Sequence, residues 1–351
     1  MKPRKVRLLA GSVAMVTLLA GAAAFPCGAP FGGGITVDPH QDIIIAWKAG
    51  AETYVFQPTF CGTATDFGLL LPVPAKLSNE PALADQKAFD AAIALSEPAK
   101  REVVQKQGVG CGGNDASLSG GKGVVDGPAV VASGRVGFLD WVQLKADTVS
   151  SFTEWLTTNG YPYDDNATAV FAYYVSKGWY FLAFRISQNV APGAGTICQA
   201  LGPIALSFPT SAPVIPSRMA NAGGRSGSGL SWRIFGITSG GTQLTFPNAT
   251  DQYSGLWYSG AIKDSEVPSF GGLADAGDRL TRLLLSSYYT SSTADADLTL
   301  SAAKDYRGTE DVLVYDDSAC SMGSHRGIPH GCVLSLFGLV MVGLFCWRRC
   351  R

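Results

Sequence analysis

The residues that could carry chemistry are few and scattered. Cys111 lies in Gly108-Val109-Gly110-Cys111-Gly112-Gly113, where a thiol in a glycine loop can act as a nucleophile or redox group once ionised. The same run has the G-x-G-x-x-G spacing that brings backbone amides up to a pyrophosphate. That use needs a strand before the run and a helix after it. Here a helical run precedes and a polar loop follows, so a dinucleotide site is disfavoured. The histidines are His40, His325 and His330, and no pair has zinc-ligand spacing on a helix. Gly224-Arg225-Ser226-Gly227-Ser228 ends in Ser where a nucleophile elbow needs Gly. Asp164-Asp165-Asn166 and Asp295-Ala296-Asp297 offer oxygens to calcium, but too few for a calcium loop. Helix capping and solvated turns suit them better. No catalytic residue, metal or cofactor is assigned from the sequence.

The elements that must position these residues are organised around Val136 to Ser187. Val136 to Leu144 is rich in β-branched and aromatic residues and predicts a strand. Asp147 is placed to cap a helix starting near Thr148, with Val149, Phe152, Trp155 and Leu156 on its apolar face and Asn159-Gly160 at its end. Asp165 opens a second helix with Val170, Phe171, Tyr174 and Val175 on one side, stopped by Lys177-Gly178. Trp179 to Ile186 is apolar at alternate and intervening positions alike, which predicts a central strand covered on both faces. The aromatics read first as core; a groove lined by Trp155, Tyr161, Tyr163 and Trp179 is the competing reading. As a core residue, Trp155 changed to Ala is expected to cost about 3–5 kcal/mol.

Elsewhere, Asp42 to Trp47 and Thr53 to Phe60 predict paired strands about the turn Lys48-Ala49-Gly50-Ala51, and Asp66 to Leu71 a third. Pro81 to Gln107 reads as mostly helical with a break at Pro98, and Gly108 to Gly127 as a loop. Strands are expected at Pro203 to Phe208 and Leu230 to Thr238, and strand-like character over Gln243 to Ser265. Leu280 to Ser287 reads as helical, Leu298 to Leu300 and Val312 to Tyr315 as short and extended, and Asn221 to Gly229 as exposed. The fold class is α+β, mainly antiparallel sheets with a few packed helices, plus an N-terminal signal and a C-terminal apolar tail helix.

The ends differ in kind from the body. Met1 to Arg7 is basic, Leu8 to Leu19 is largely apolar, and Ala22-Ala23-Ala24 is small, the pattern of a secretory signal cleaved between Ala24 and Phe25. Ala24-Phe25-Pro26 before Cys27 is a poor lipobox. At the other end, Gly331-Cys332 leads into the apolar run Val333 to Trp347 and then Arg348-Arg349-Cys350-Arg351. Such a run spans roughly 22 Å as a helix, short of the roughly 30 Å hydrocarbon core. The arginines would hold its far end in the cytoplasm. The division is therefore 1–24 signal peptide, 25–315 exported body, 316–331 polar stalk and 332–351 membrane or sorting tail.

The chain has 351 residues, 46% hydrophobic and 16% charged, enough for a large core. Processing at both ends removes Lys2, Arg4, Lys5, Arg7, Arg348, Arg349 and Arg351 and takes the formal charge from −1 to −8. That balance disfavours nucleic acid as a partner. In an exported chain, Cys27, Cys61, Cys111 and Cys198 are disulfide candidates, paired Cys27–Cys61 and Cys111–Cys198, with Cys320 left over in the stalk.

Two resemblances follow from motifs. Gly331-Cys332, the apolar run and the terminal arginines resemble the myxobacterial C-terminal sorting tail (MYXO-CTERM), which implies cutting by an intramembrane protease and delivery to the surface of a Gram-negative cell, with the Cys as lipid-bearing residue. Cys27-Gly28, Asp66-Phe67 followed by Leu71-Pro72-Val73-Pro74-Ala75, Trp155-Leu156, Asn159-Gly160-Tyr161, Tyr180-Phe181 and Leu206-Ser207-Phe208-Pro209 resemble the bacterial domain-of-unknown-function 2330 family. Pro98 to Cys111 and Leu280-Thr281-Arg282 add to that likeness, which spans roughly residues 26 to 315. The family resemblance implies an exported protein and supplies no catalytic residue. The function expected is a non-enzymatic binding or structural envelope protein of unknown ligand, met by export machinery, signal peptidase, a sorting protease and the membrane. The competing classes are an exported hydrolase with a site of scattered side chains and a thiol-dependent envelope factor using Cys111.

Overall fold

Ile43, Ile44 and Ile45 are all fully buried, and so are Phe181, Leu182, Ala183 and Phe184. Neighbouring residues of a strand face opposite ways, so each of these strands is covered on both sides. That requirement generates the architecture. The computed structural model describes residues 29–31, 36–37, 40–57, 59–63, 68–105, 128–161, 163, 165, 167–186, 196–200, 202–223, 231–246, 255–286 and 298–315. They form an α+β fold of mostly antiparallel sheets in four layers, helix on sheet on sheet on helix.

The large sheet has eight strands in the order Tyr306–Arg307, Gly255–Ala261, Arg279–Ser286, Ser231–Thr238, His40–Lys48, Ala51–Phe56, Ile204–Pro209 and Ala82–Leu83. Its one parallel pairing joins Ser231–Thr238 to His40–Lys48. The second sheet has five strands: Ala29–Phe31, Gly68–Val73, Tyr180–Ile186, Leu139–Lys145 and Ala129–Val136. Between the two lies the central core, with Ile43, Ile45, Phe56, Trp232 and Leu283 from the first and Leu71, Trp141, Leu182 and Phe184 from the second. The outer face of the second sheet is closed by α2 (Val149–Thr158) and α3 (Ala167–Ser176), through Phe152, Leu156, Phe171 and Tyr174 on Leu144 and Phe181. The outer face of the large sheet is closed by α1 (Gln86–Leu95), through Phe89 and Ala92 on Ile44, Val55 and Phe235.

A third, three-stranded sheet sits at the crossings. Its members are Thr196–Ala200, Thr59–Thr63 and Thr36–Val37. In chain order each lies between a strand of one large sheet and a strand of the other. Ala51–Phe56 pairs with Ile204–Pro209, then Thr59–Thr63 with Thr196–Ala200, then Gly68–Val73 with Tyr180–Ile186. Two chain segments thus run antiparallel from the large sheet through the small one into the second sheet.

Local chemistry fixes the joints. At the hairpin Lys48 to Ala51, Ala49 has φ 49° and Gly50 φ 83°, the paired positive angles of a two-residue turn. Thr148, not the predicted Asp147, caps α2: its hydroxyl accepts from the Ser151 amide at 3.1 Å. Gly160 and Gly178, at φ 74° and 67°, release the chain after α2 and α3.

Several expectations are corrected. The strand expected from Val136 to Leu144 is two strands, because Gly137 at φ 53° reverses the chain between Val136 and Leu139. Of Pro81 to Gln107, the described residues 81–105 are helical only over Gln86–Leu95; Glu97-Pro98 breaks the helix, and Ala99–Gln105 becomes a strand parallel to Thr309–Tyr315. Leu280 to Ser287 is not helical: Arg279–Ser286 is an interior strand, apolar on both faces because Leu280 serves one core and Leu283 and Leu285 the other. Asn221 to Gly229 is not all exposed, since Ala222, in the 3-10 turn Ser217–Gly223, is buried with Met219 against the helical layer. Trp155 is only partly buried, stacked on Tyr161 at 5.6 Å. Phe152 takes the central place, stacked on Phe181 at 4.0 Å and edge-on to Phe171 at 5.1 Å.

The order of losses follows from this packing. Phe152→Ala is predicted to cost about 3–5 kcal/mol, and Trp155→Ala about 1–3 kcal/mol because water already reaches part of its ring. Urea melts of the two variants check it; a loss at Trp155 equal to that at Phe152 would contradict the assignment.

Candidate functional site

The aromatics that the sequence offered as a groove each pack against another aromatic ring. Trp155 of α2 stacks on Tyr161 just beyond that helix, Tyr163 meets Phe171 edge-on at 5.8 Å, and Trp179 tilts on Tyr174 at 5.3 Å. Cations cover this layer. The Arg185 guanidinium lies 5.3 Å from the Tyr161 ring, Lys145 4.5 Å from Tyr180, Lys177 4.3 Å from Tyr173, and Arg218 4.2 Å from the same ring. Burial pushes the Tyr161 hydroxyl up to about 12, against the pull of Arg185, so it stays protonated and serves no base at neutral pH.

Two of these cations have a structural duty. Arg185 Nη2 donates to the Asn159 carbonyl at the end of α2 at 3.2 Å, and Lys145 Nζ donates to the Gly178 carbonyl beyond α3. At α1, Arg282 Nη1 donates to the Ser96 carbonyl at 3.2 Å, and Arg307 donates to the carbonyls of Leu95, at 3.0 Å, and Glu97. None of the three helices has a basic residue in its own last turn. Strand cations supply the positive charge that helix carbonyl ends favour.

Among the described residues one buried acid, Glu52, which the sequence reading passed over, is held well away from ordinary behaviour. It is fully buried on Ala51–Phe56, opposite Phe208. Its Oε2 accepts the Val214 amide at 2.8 Å, and its Oε1 has no hydrogen-bond partner. Burial holds the carboxyl well above the usual carboxylate range, opposed only by the Val214 N–H. The signal was present in the alternation: Glu52, Tyr54 and Phe56 share one face of a strand. Phe208 and Val214, with Tyr54, Leu71 and Pro216, also wall a crevice too narrow to admit a water molecule. Among the described residues no group of three or more His, Cys, Asp or Glu is placed to hold a metal.

Of the sequence candidates, Cys61 and Cys198 are brought together: they are Cα partners across the strands Thr59–Thr63 and Thr196–Ala200. Ala24, Phe25, Cys27, Cys111, Gly331 and Cys332 lie outside the described residues. So do Asp164, Asn166 and the whole of Asp295 to Asp297, while Asp165 contributes its carbonyl to the Thr168 amide at the start of α3. Among the described residues no helix is long and apolar enough to cross a membrane.

A family model described as an uncharacterized protein conserved in bacteria (DUF2330) matches residues 21–301. No curated protein and no solved structure matches the chain.

Glu52 generates a pH prediction. The folded state keeps its proton to higher pH than the unfolded chain, whose carboxyl titrates near about 4.3. Its stabilising contribution is therefore complete below that value and is lost as pH rises through the folded pKa, with a slope approaching about 1.4 kcal/mol per pH unit. Thermal melts from acid to mildly alkaline pH should show this slope in the wild type and lose it in Glu52→Gln. An identical pH profile in the two proteins would mean that Glu52 ionises normally.

Proposed function

This chain belongs to the DUF2330 family of bacterial proteins, and we propose that it is exported and held at the cell surface as a binding or structural module rather than as an enzyme. The observation that carries the reading is the pair of ends around the body. A basic, apolar and small-residue sequence precedes Phe25, and Gly331-Cys332, an apolar run and arginines follow the stalk. The body is consistent with a scaffold. Four of its strand cations, Lys145, Arg185, Arg282 and Arg307, are engaged with carbonyls at helix ends, and its displaced acid, Glu52, is bonded to a backbone amide rather than to a nucleophile or a second acid. In this proposal the partners are the export machinery, signal peptidase, an intramembrane protease acting at Gly331-Cys332, and the membrane of a Gram-negative envelope. Nucleic acid is disfavoured by the charge of −8 left after processing at both ends.

Cys332 is the test. One acyl chain gives marginal anchoring, so durable retention requires a second membrane signal besides a lipid on Cys332. Intact mass of the surface-extracted wild type should begin at Phe25 and lack the terminal arginines. Cys332→Ala should keep Arg348 to Arg351 and remain with the inner membrane. A variant that reaches the surface in normal amount and at normal mass would reduce the tail to a plain membrane anchor.

A further inference from the structure

We propose that Cys61 and Cys198 form a disulfide that fastens the two sheet-crossing segments to each other. The ladder between Thr59–Thr63 and Thr196–Ala200 runs over five consecutive pairs, with Cys61↔Cys198 at its centre. Directly opposite residues of antiparallel strands have Cα atoms roughly 4.5 or 5.5 Å apart, according to whether the pair is hydrogen-bonded. A disulfide requires roughly 4.4–6.8 Å, so both cases lie within its reach. Opposite residues also share one face of their sheet. A slip of one place would set Cys198 against Phe60 or Gly62 and send the two cysteines to opposite faces. The sequence expectation paired Cys61 with Cys27 and Cys198 with Cys111; those links need the same two thiols and are mutually exclusive with this one.

The location gives the bond a purpose. Thr59–Thr63 joins the large sheet to the second sheet, and Thr196–Ala200 makes the return crossing. A bond between them ties both crossings where each has left the sheets that flank it. The loop it closes holds about 140 residues, and a constraint on that scale removes much freedom from the unfolded chain. In the reaction, two thiols lose two protons and two electrons. The oxidant is a protein or small-molecule disulfide, which accepts them and becomes a dithiol through a mixed-disulfide intermediate. The proposal rests on the export reading, because that oxidant prevails outside the cytoplasm.

The test is peptide mapping of the full chain from its producing cells, after free thiols are blocked at harvest. The expected result is a Cys61–Cys198 link in chain that begins at Phe25. Cys27–Cys61 or Cys111–Cys198 links, or free Cys61 and Cys198 in that processed chain, would overturn the proposal and leave export standing. If the chain is instead unprocessed and cytoplasmic, export fails, and the purified full chain is equilibrated with a glutathione redox buffer. Formation of the same link there supports the pairing; free thiols or another link overturn it. As a second readout, reduction should lower the wild-type Tm by about 5–15 °C. Cys61→Ser and Cys198→Ser should each start near the reduced wild-type value and not respond to reductant; a response like that of the wild type would overturn the pairing.

Discussion

The structure depends on one constraint: a strand that leaves a sheet must keep its backbone amides and carbonyls paired. Three of the segments that travel between the large sheet and the second sheet meet midway in the small sheet, where Thr59–Thr63 pairs with Thr196–Ala200 on one side and with Thr36–Val37 on the other. Two of them pair in each of the three sheets they enter. Residues from Ala51 to Val73 face residues from Pro209 back to Tyr180 in three successive ladders, one in each sheet. Sheets packed face to face turn corners where strands switch from one to the other. Here the corner is itself a sheet, so the relative placement of the two layers is set by hydrogen-bond register as well as by side-chain packing. The contacts that define it join residues more than a hundred places apart, which makes the topology slow to assemble and gives a covalent link at the bend most of its value.

The helices are subordinate to this frame. Each covers an outer face through a few buried side chains, and each is met at its carboxyl end by a cation from a neighbouring strand. Short helices gain most of their stability from packing, and three turns leave a high proportion of unpaired carbonyls. Arg185 and Lys145, two of the cations that cover the aromatic layer, therefore have a structural explanation before a binding one. Arg185 illustrates it: one guanidinium lies over Tyr161 and also binds the Asn159 carbonyl.

What the sequence made legible follows the same logic. The Lys48 to Ala51 hairpin, the two helices of the middle stretch and the doubly covered strand after Trp179 were readable, because turn residues and apolar faces are local signals. Arg279–Ser286 was not, because a strand buried on both sides shows no alternation and a run of leucines suits a helix equally well. Ala99–Gln105 was not, because its partner Thr309–Tyr315 lies two hundred residues away. The cysteine pairing expected from the sequence joined neighbours along the chain's plan, whereas the register sets Cys61 opposite Cys198, a relation that only the crossing ribbon creates.

Glu52 ties these levels together. It stands on the ribbon beside Tyr54 and Phe56, and its carboxyl reaches the Val214 amide in the segment that leaves the ribbon after Pro209. That segment continues through Pro216 into the 3-10 turn that places Met219 and Ala222 beneath the helical layer. The Thr210 amide, bonded to the Gly50 carbonyl at 2.9 Å, secures the other end of the same segment. A neutral amide side chain could accept the Val214 hydrogen bond equally well. A carboxyl differs in one respect: it can ionise, and a buried unpaired charge is far more costly than a buried neutral acid. The acid thus couples folding stability to proton concentration at this place, which an amide would not.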